Sequence, residues 1–198
     1  MKVGYATLYD DGELVISQSH TILSKKIYKD YGEFEDTSVP WKNESKNINN
    51  VKILDQVKSN CMKEWFDDCT NLTSLIDFKN LDVSDCADFS KMFWNCTSLQ
   101  NISALEDWDV SNGIDFSCMF YYCRSLQDIS ALDSWNVSNG KYFSSMFRYC
   151  TSLQNISLPN SLRCLDENMF KDCNPNLKIR WKQYLYTYAD LLEYKKIY

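Results

Sequence analysis

Met92-Phe93-Trp94-Asn95-Cys96-Thr97-Ser98-Leu99 decides how this chain folds, because it recurs. It is preceded by Trp65-Phe66-Asp67-Asp68-Cys69-Thr70-Asn71-Leu72. It returns as Met119-Phe120-Tyr121-Tyr122-Cys123-Arg124-Ser125-Leu126 and as Met146-Phe147-Arg148-Tyr149-Cys150-Thr151-Ser152-Leu153. The phenylalanine falls at 66, 93, 120 and 147, a constant step of 27 residues. A fifth copy, Met169-Phe170-Lys171-Asp172-Cys173, follows after 23. A fixed period of this length marks a stacked array of small units and not a compact enzyme fold.

Within one unit, Phe89, Met92, Phe93 and Cys96 stand at i, i+3, i+4 and i+7, an apolar stripe that predicts a short helix. The stripe repeats as Phe116, Met119, Phe120, Cys123 and as Phe143, Met146, Phe147, Cys150. Residues 99–103 predict a short extended leg, with equivalents at 72–76, 126–130 and 153–157. A third leg, Trp108-Asp109-Val110-Ser111-Asn112-Gly113, returns as Trp135-Asn136-Val137-Ser138-Asn139-Gly140 and as Leu81-Asp82-Val83-Ser84-Asp85-Cys86. Asn-Gly predicts a turn, since both residues tolerate positive φ. Each unit supplies large apolar groups worth roughly 1.5–3 kcal/mol apiece when buried. The conformational entropy of ordering the unit consumes most of that gain. Only stacking makes the sum favourable, which is the logic of a solenoid.

The combination Trp108-Asp109-Val110-Ser111-Asn112, then Asp115, Ser117 and Met119-Phe120, resembles the repeat of the BspA-like leucine-rich repeat family of bacterial surface proteins. Residues 153–173, through Met169-Phe170-Lys171-Asp172-Cys173, are similar to its shorter 23-residue variant. The resemblance covers about 61–180 and departs where Cys86, Gly113 and Gly140 replace an apolar residue. It implies an α/β solenoid, a right-handed leucine-rich-repeat-like array of about five short helix–strand repeats.

The two ends read as caps over the terminal units. Residues 3–9 and 13–17 flank Asp10-Asp11-Gly12 and predict a β-hairpin. Residues 18–50 read as polar and irregular, with Val39-Pro40-Trp41 as a packed anchor. Residues 177–181 alternate and predict a last strand. Thr187 with Asp190 three residues on predicts a capping box opening a helix over 188–197. The divisions are therefore 1–60 for the N-terminal cap, 61–175 for the repeats and 176–198 for the C-terminal cap.

Charge follows these divisions. Residues 1–60 carry 8 basic and 9 acidic groups, 61–175 carry 8 and 16, and 176–198 carry 5 and 2. An array with net charge −8 disfavours direct binding to nucleic acid and suits a partner with a basic surface. No stretch approaches the roughly 18 apolar residues of a membrane helix. With Met1 as the natural start, the lack of a signal-peptide pattern predicts a cytoplasmic protein. The family resemblance implies the alternative, secretion to the cell surface.

Nine cysteines suggest a disulfide framework until they are placed. Five of them (Cys69, Cys96, Cys123, Cys150, Cys173) share one repeat position and read as a column of buried, reduced thiols. No C-x-x-C pair exists, and the single histidine, His20, lies outside the array. No metal site, phosphate loop or nucleophile motif is legible, so neither a cofactor nor catalysis is expected. Cys118 stands where the other units have Lys91 and Ser145, the one candidate for a cysteine-dependent reaction. The sequons at Asn71, Asn95, Asn101 and Asn155 have core positions in their middle and arise from the repeat itself.

Function then lies in what changes between copies. Trp94, Tyr121, Tyr122, Arg148 and Tyr149 occupy the two variable positions between Phe and Cys. Aromatic residues and arginine are the chemistry of interface hot spots. The extended leg offers a second candidate surface, the polar row Gln100, Gln127 and Gln154. The reading is a non-enzymatic protein–protein interaction module. The alternative is an acidic inhibitor or decoy, of the mobile-element or phage type, that blocks a nucleic-acid-processing enzyme such as a host-defence nuclease. The oligomeric state is not legible.

Overall fold

The computed structural model describes residues 2–163, 165–166, 168–187 and 189–190. Strands β1 (Lys2–Tyr9) and β2 (Glu13–Ser17) form an antiparallel hairpin with Tyr5 opposite Ser17 and Leu8 opposite Leu14. Gly12 makes the turn in a left-handed conformation (φ 81°), which a glycine adopts without a Cβ penalty. Residues 27–35, expected to be irregular, form β3 (Ile27–Glu35), antiparallel to β1. Its burial is irregular, with Tyr28 exposed, Tyr31 half-buried and Phe34 buried, and its register is bulged, so no clean period of two announces it.

The hairpin is continuous with the array. β4 (Asn50–Ile53) runs parallel to β2, with Leu14 opposite Val51. β5 (Val57–Lys58) follows, and β6 (Ser74–Ile76) then extends the sheet beside β4, giving the order β3-β1-β2-β4-β6. β7 (Leu81–Asp82) pairs parallel with β5. In the middle units the extended leg shrinks to the single bridge Asn101–Asp128, followed by 3-10 turns at Ser103–Leu105 and Ser130–Leu132. Regular pairing resumes with β8 (Asn155–Leu158) and β9 (Lys178–Trp181), parallel with Ile156 opposite Ile179. β10 (Tyr184–Thr187), a strand beyond the expected last one, adds antiparallel to β9.

Among the described residues, the short helices expected in the repeats are not formed. Residues 89–96 form a run of turns instead. Met92, Trp94 and Cys96 donate backbone N–H groups to Phe89, Lys91 and Phe93 within the unit. Phe89, Lys91, Phe93 and Asn95 donate to Asp115, Ser117, Met119 and Tyr121 of the next unit. Beyond its first turn an α-helix directs successive N–H groups to carbonyls four residues back, whereas here N–H groups alternate between a carbonyl three residues back and one in the next unit. Lys91 and Asn95 have φ of 56° and 57°, a left-handed conformation that no α-helix accommodates. The same pair recurs at Glu64 and Asp68, Cys118 and Tyr122, and Ser145 and Tyr149. A four-residue turn repeat places the apolar residues as a helical period would, so the stripe alone cannot separate the two.

One core runs from Val3 to Trp181. Phe66, Phe93, Phe120, Phe147 and Phe170 stack with centroids 5.4–5.6 Å apart. Phe89, Phe116 and Phe143 form a second column at 5.2 Å. Trp108 and Trp135 donate indole N–H groups to the carbonyls of Phe78 and Leu105, satisfying polar atoms that burial would otherwise strand. At the N-terminal end Trp41 is fully buried, donates to the Trp65 carbonyl at 2.6 Å and packs edge-on against Phe34 and Trp65. At the other end Thr187 and Asp190 exchange the reciprocal bonds of a capping box. Most of the helix expected over 188–197, with Tyr194 and Tyr198, lies outside the described residues, as does Cys164.

Candidate interaction surface

The turn ladder fixes where the variable residues emerge. Between each buried Phe and Cys two side chains leave the core, and on consecutive units they meet. The Trp94 and Tyr121 rings stack, 5.8 Å apart and within 4° of parallel. Tyr121 also touches Tyr122 and Tyr149 at 5.6 Å each, and Tyr122 meets Tyr149 edge-on at 4.7 Å. All four rings are half-buried, so one face of the cluster is open to solvent. Pairs of this kind are worth about 0.5–1.5 kcal/mol each.

Arg148 joins the cluster over the Tyr149 ring, 4.9 Å from its centroid. It donates to the Tyr149 hydroxyl at 3.1 Å and pairs with Asp172 at 3.0 Å. Arg124, which sequence reasoning passed over, lies 4.2 Å above the Tyr122 ring. Its signal was its position, where the neighbouring copies carry Thr70, Thr97 and Thr151. Burial raises the Tyr121 hydroxyl, against the pull of Arg148, so the ring enters any contact as a neutral phenol.

Tyr122 and Tyr149 have φ of 66° and 65°. The equivalent residues in the other units are Asp68, Asn95 and Asp172, also left-handed. Asp and Asn enter this region readily, whereas a residue with a bulky side chain does so at about 1–2 kcal/mol. Two of the five units thus carry an aromatic ring where the backbone favours a short polar side chain.

Gln100, Gln127 and Gln154 are exposed on the extended leg, and a backbone bond links Gln127 to the Gln100 carbonyl. Among the described residues none of their side-chain amides finds a hydrogen-bond partner, so the three do not bond to one another as an amide ladder. The structure therefore brings five of the eight predicted residues into one cluster and leaves the three glutamines in a separate row.

Cys118 is half-buried, its thiol 3.7 Å from the Ser144 carbonyl, and burial raises its pKa despite Lys91 nearby. His20 is bonded to Asp30 at 2.8 Å. Among the described residues no group of three or more His, Cys, Asp or Glu could hold a metal. No described helix is long and apolar enough to cross a membrane.

Residues 60–180 match the family model described as "Mycoplasma protein of unknown function, DUF285". No curated protein matches. Among solved structures the chain is similar to the leucine rich repeat protein of T. pallidum, with a TM-score of 0.50 and 17% identity over 90% of this chain and 78% of that one. It is also similar to a leucine rich cell surface protein of Faecalibacterium prausnitzii A2-165, with a TM-score of 0.51 and 18% identity over 92% of this chain and 51% of that one. The chain spans about half the length of the latter. These likenesses show a leucine-rich repeat fold.

Proposed function

We propose, for a chain that belongs to the DUF285 family, that its repeats form a non-enzymatic protein-binding module whose contact surface is the cluster of Trp94, Tyr121, Tyr122, Arg148 and Tyr149. The observation that carries this reading is the presence of two half-exposed tyrosines in left-handed backbone at a position suited to Asp or Asn. Strain of this kind gathers at functional sites. Arg124 belongs to the same surface, and the Gln100, Gln127, Gln154 row is a secondary one. A partner with a basic surface suits the acidic array. The decoy reading has that charge alone behind it, and many of the acids are already paired, as Asp82 and Asp85 are with Lys58.

The cytoplasmic reading gains nothing from the solved neighbours. One of them is a cell surface protein, and on that likeness we favour an exposed location for this chain. Proteolytic shaving of intact cells tests this: fragments of 61–175 released before lysis support it, and their absence overturns it.

Affinity capture from the native cell tests the interaction itself. A partner held by the wild type should be lost by the W94A/Y121A/Y122A/Y149A variant. Equal capture by the variant would remove the cluster from consideration. A partner released steeply by salt, and insensitive to these substitutions, would favour the charge-driven alternative.

A further inference from the structure

Charge on the array divides by face. The positions one, two and four residues after each repeated Phe hold every member of the aromatic cluster, together with Arg124. In the first unit these positions are Asp67, Asp68 and Thr70, and Lys42 and Lys46 of the N-terminal cap pair with the two acids. In the next four units they carry the cations Arg124, Arg148 and Lys171 and the single acid Asp172, which pairs with Arg148 at 3.0 Å. The exposed acids Glu106, Asp107 and Asp109 stand elsewhere, on the third leg and just before it. Three cations less one acid leave a patch of net charge +2 beside the rings, inside an array of net charge −8.

Arg124 is set apart within that patch. Its counterpart Thr97 donates its hydroxyl to the Thr70 carbonyl one unit back, at 3.1 Å, so the position there serves the stack. Arg124 instead lies 4.2 Å above the ring of Tyr122, which meets Tyr149 at 4.7 Å, and Arg148 lies over Tyr149 in turn. Arg148 spends its N–H groups on Asp172 and the Tyr149 hydroxyl. Among the described residues no carboxylate pairs with Arg124, which is exposed. A ring attracts the cation through its quadrupole and accepts no paired N–H bonds, so the guanidinium fork stays open for a carboxylate. The ring also restricts the side chain beforehand, which lowers the entropy that a contact costs. We infer, on the binding reading above, that Arg124 takes a carboxylate of the partner, so that the segment seated on the aromatic cluster is acidic. The rings of Trp94 and Tyr121 take the apolar side chains of that segment. The basic surface that suits the array's net charge meets other faces.

Panning a random dodecapeptide phage library on the whole chain tests this, with the W94A/Y121A/Y122A/Y149A variant as counter-target. Peptides kept by the wild type and rejected by that variant should carry net negative charge. A synthetic copy of the strongest should bind Arg124→Ala about tenfold or more weakly, the effect of one lost charge-assisted contact at ~1.4 kcal/mol per tenfold. Arg124→Lys keeps the charge without the fork and should recover only part of that loss. Thermal melts of both variants should stay close to the wild type, since the residue is exposed. Neutral or basic cluster-dependent peptides overturn the inference and leave the binding reading standing. Acidic peptides that bind Arg124→Ala or Arg124→Lys as tightly as the wild type also overturn it, in favour of a diffuse cationic patch. A library that yields no cluster-dependent peptide removes both readings.

Discussion

The Sγ of Cys123 lies 3.1 Å from the carbonyl oxygen of Phe93, 30 residues earlier. Cys96 stands in the same relation to Phe66 and Cys150 to Phe120, at 3.1 and 3.0 Å, and Cys173 bonds Phe147 across the shorter step of 26 residues at 2.9 Å. The repeated cysteine is thus a small core residue with a proton to donate between units. Burial raises every one of these thiols, that of Cys173 to about 12, so the donor stays protonated at neutral pH.

Replacing Cys123 should show which property matters. Cys123→Ala removes the bond and leaves a small void, with an expected cost of about 1–2 kcal/mol. Cys123→Leu overfills a column bounded by Phe93 and Phe120, with a cost of about 1–3 kcal/mol. Urea denaturation measures both. A neutral leucine would mean that the column is loosely packed.

Thiol labelling offers a separate test of the same column. Cys61 and Cys118 are half-buried, whereas Cys96, Cys123 and Cys150 are fully buried. Iodoacetamide on the native protein should modify the first pair well before the three column thiols, as read by peptide mass spectrometry. Equal rates would show that the column opens readily.

Gly113 is small for packing, not for φ. A Cβ there would run into the Phe116 ring, and Gly140 has the same relation to Phe143. Gly113→Ala should cost about 1–3 kcal/mol through displaced core packing. Gly32 has a φ of 66° and open space around it. Gly32→Ala should therefore cost only the conformational penalty, about 1–2 kcal/mol. Thermal melts of the two variants compare collision with conformation.

Tyr122→Asn relieves about 1 kcal/mol of left-handed strain and forfeits ring contacts of about the same size. Stability should change by less than about 1 kcal/mol while partner capture falls. A loss above about 2 kcal/mol would make Tyr122 a structural residue and remove the argument that its ring is held for binding.

Acid should weaken the fold through its Asx turns. Asp109 accepts from Ser111, and Asp82 from Ser84, and those bonds hold both carboxyls below the ordinary value. A group depressed on folding stabilises above its unfolded pKa, about 3.9, and that contribution is lost as pH falls through the folded value. Asp67, raised by burial, works in the opposite sense. Asp109→Asn should flatten the pH dependence of urea midpoints below about pH 5. An unchanged slope would dismiss the Asx turns as its source.

The sequence by itself determined the repeat, its core residues and its hairpin start, because burial of Phe93, Met92, Cys96 and Leu99 depends only on their recurrence at one spacing. It also brought Trp94, Tyr121, Tyr122, Arg148 and Tyr149 to notice, because they vary where the framework does not. The local conformation was not legible, since a turn ladder and a short helix place apolar residues alike. Only the direction of the backbone hydrogen bonds separates them, and that is settled between units 27 residues apart. The tertiary structure alone decided that Tyr122 and Tyr149 sit in left-handed backbone and that Arg124 caps a ring. Each of these depends on register between units, which fixes which side chains meet and carries no local signature in the chain.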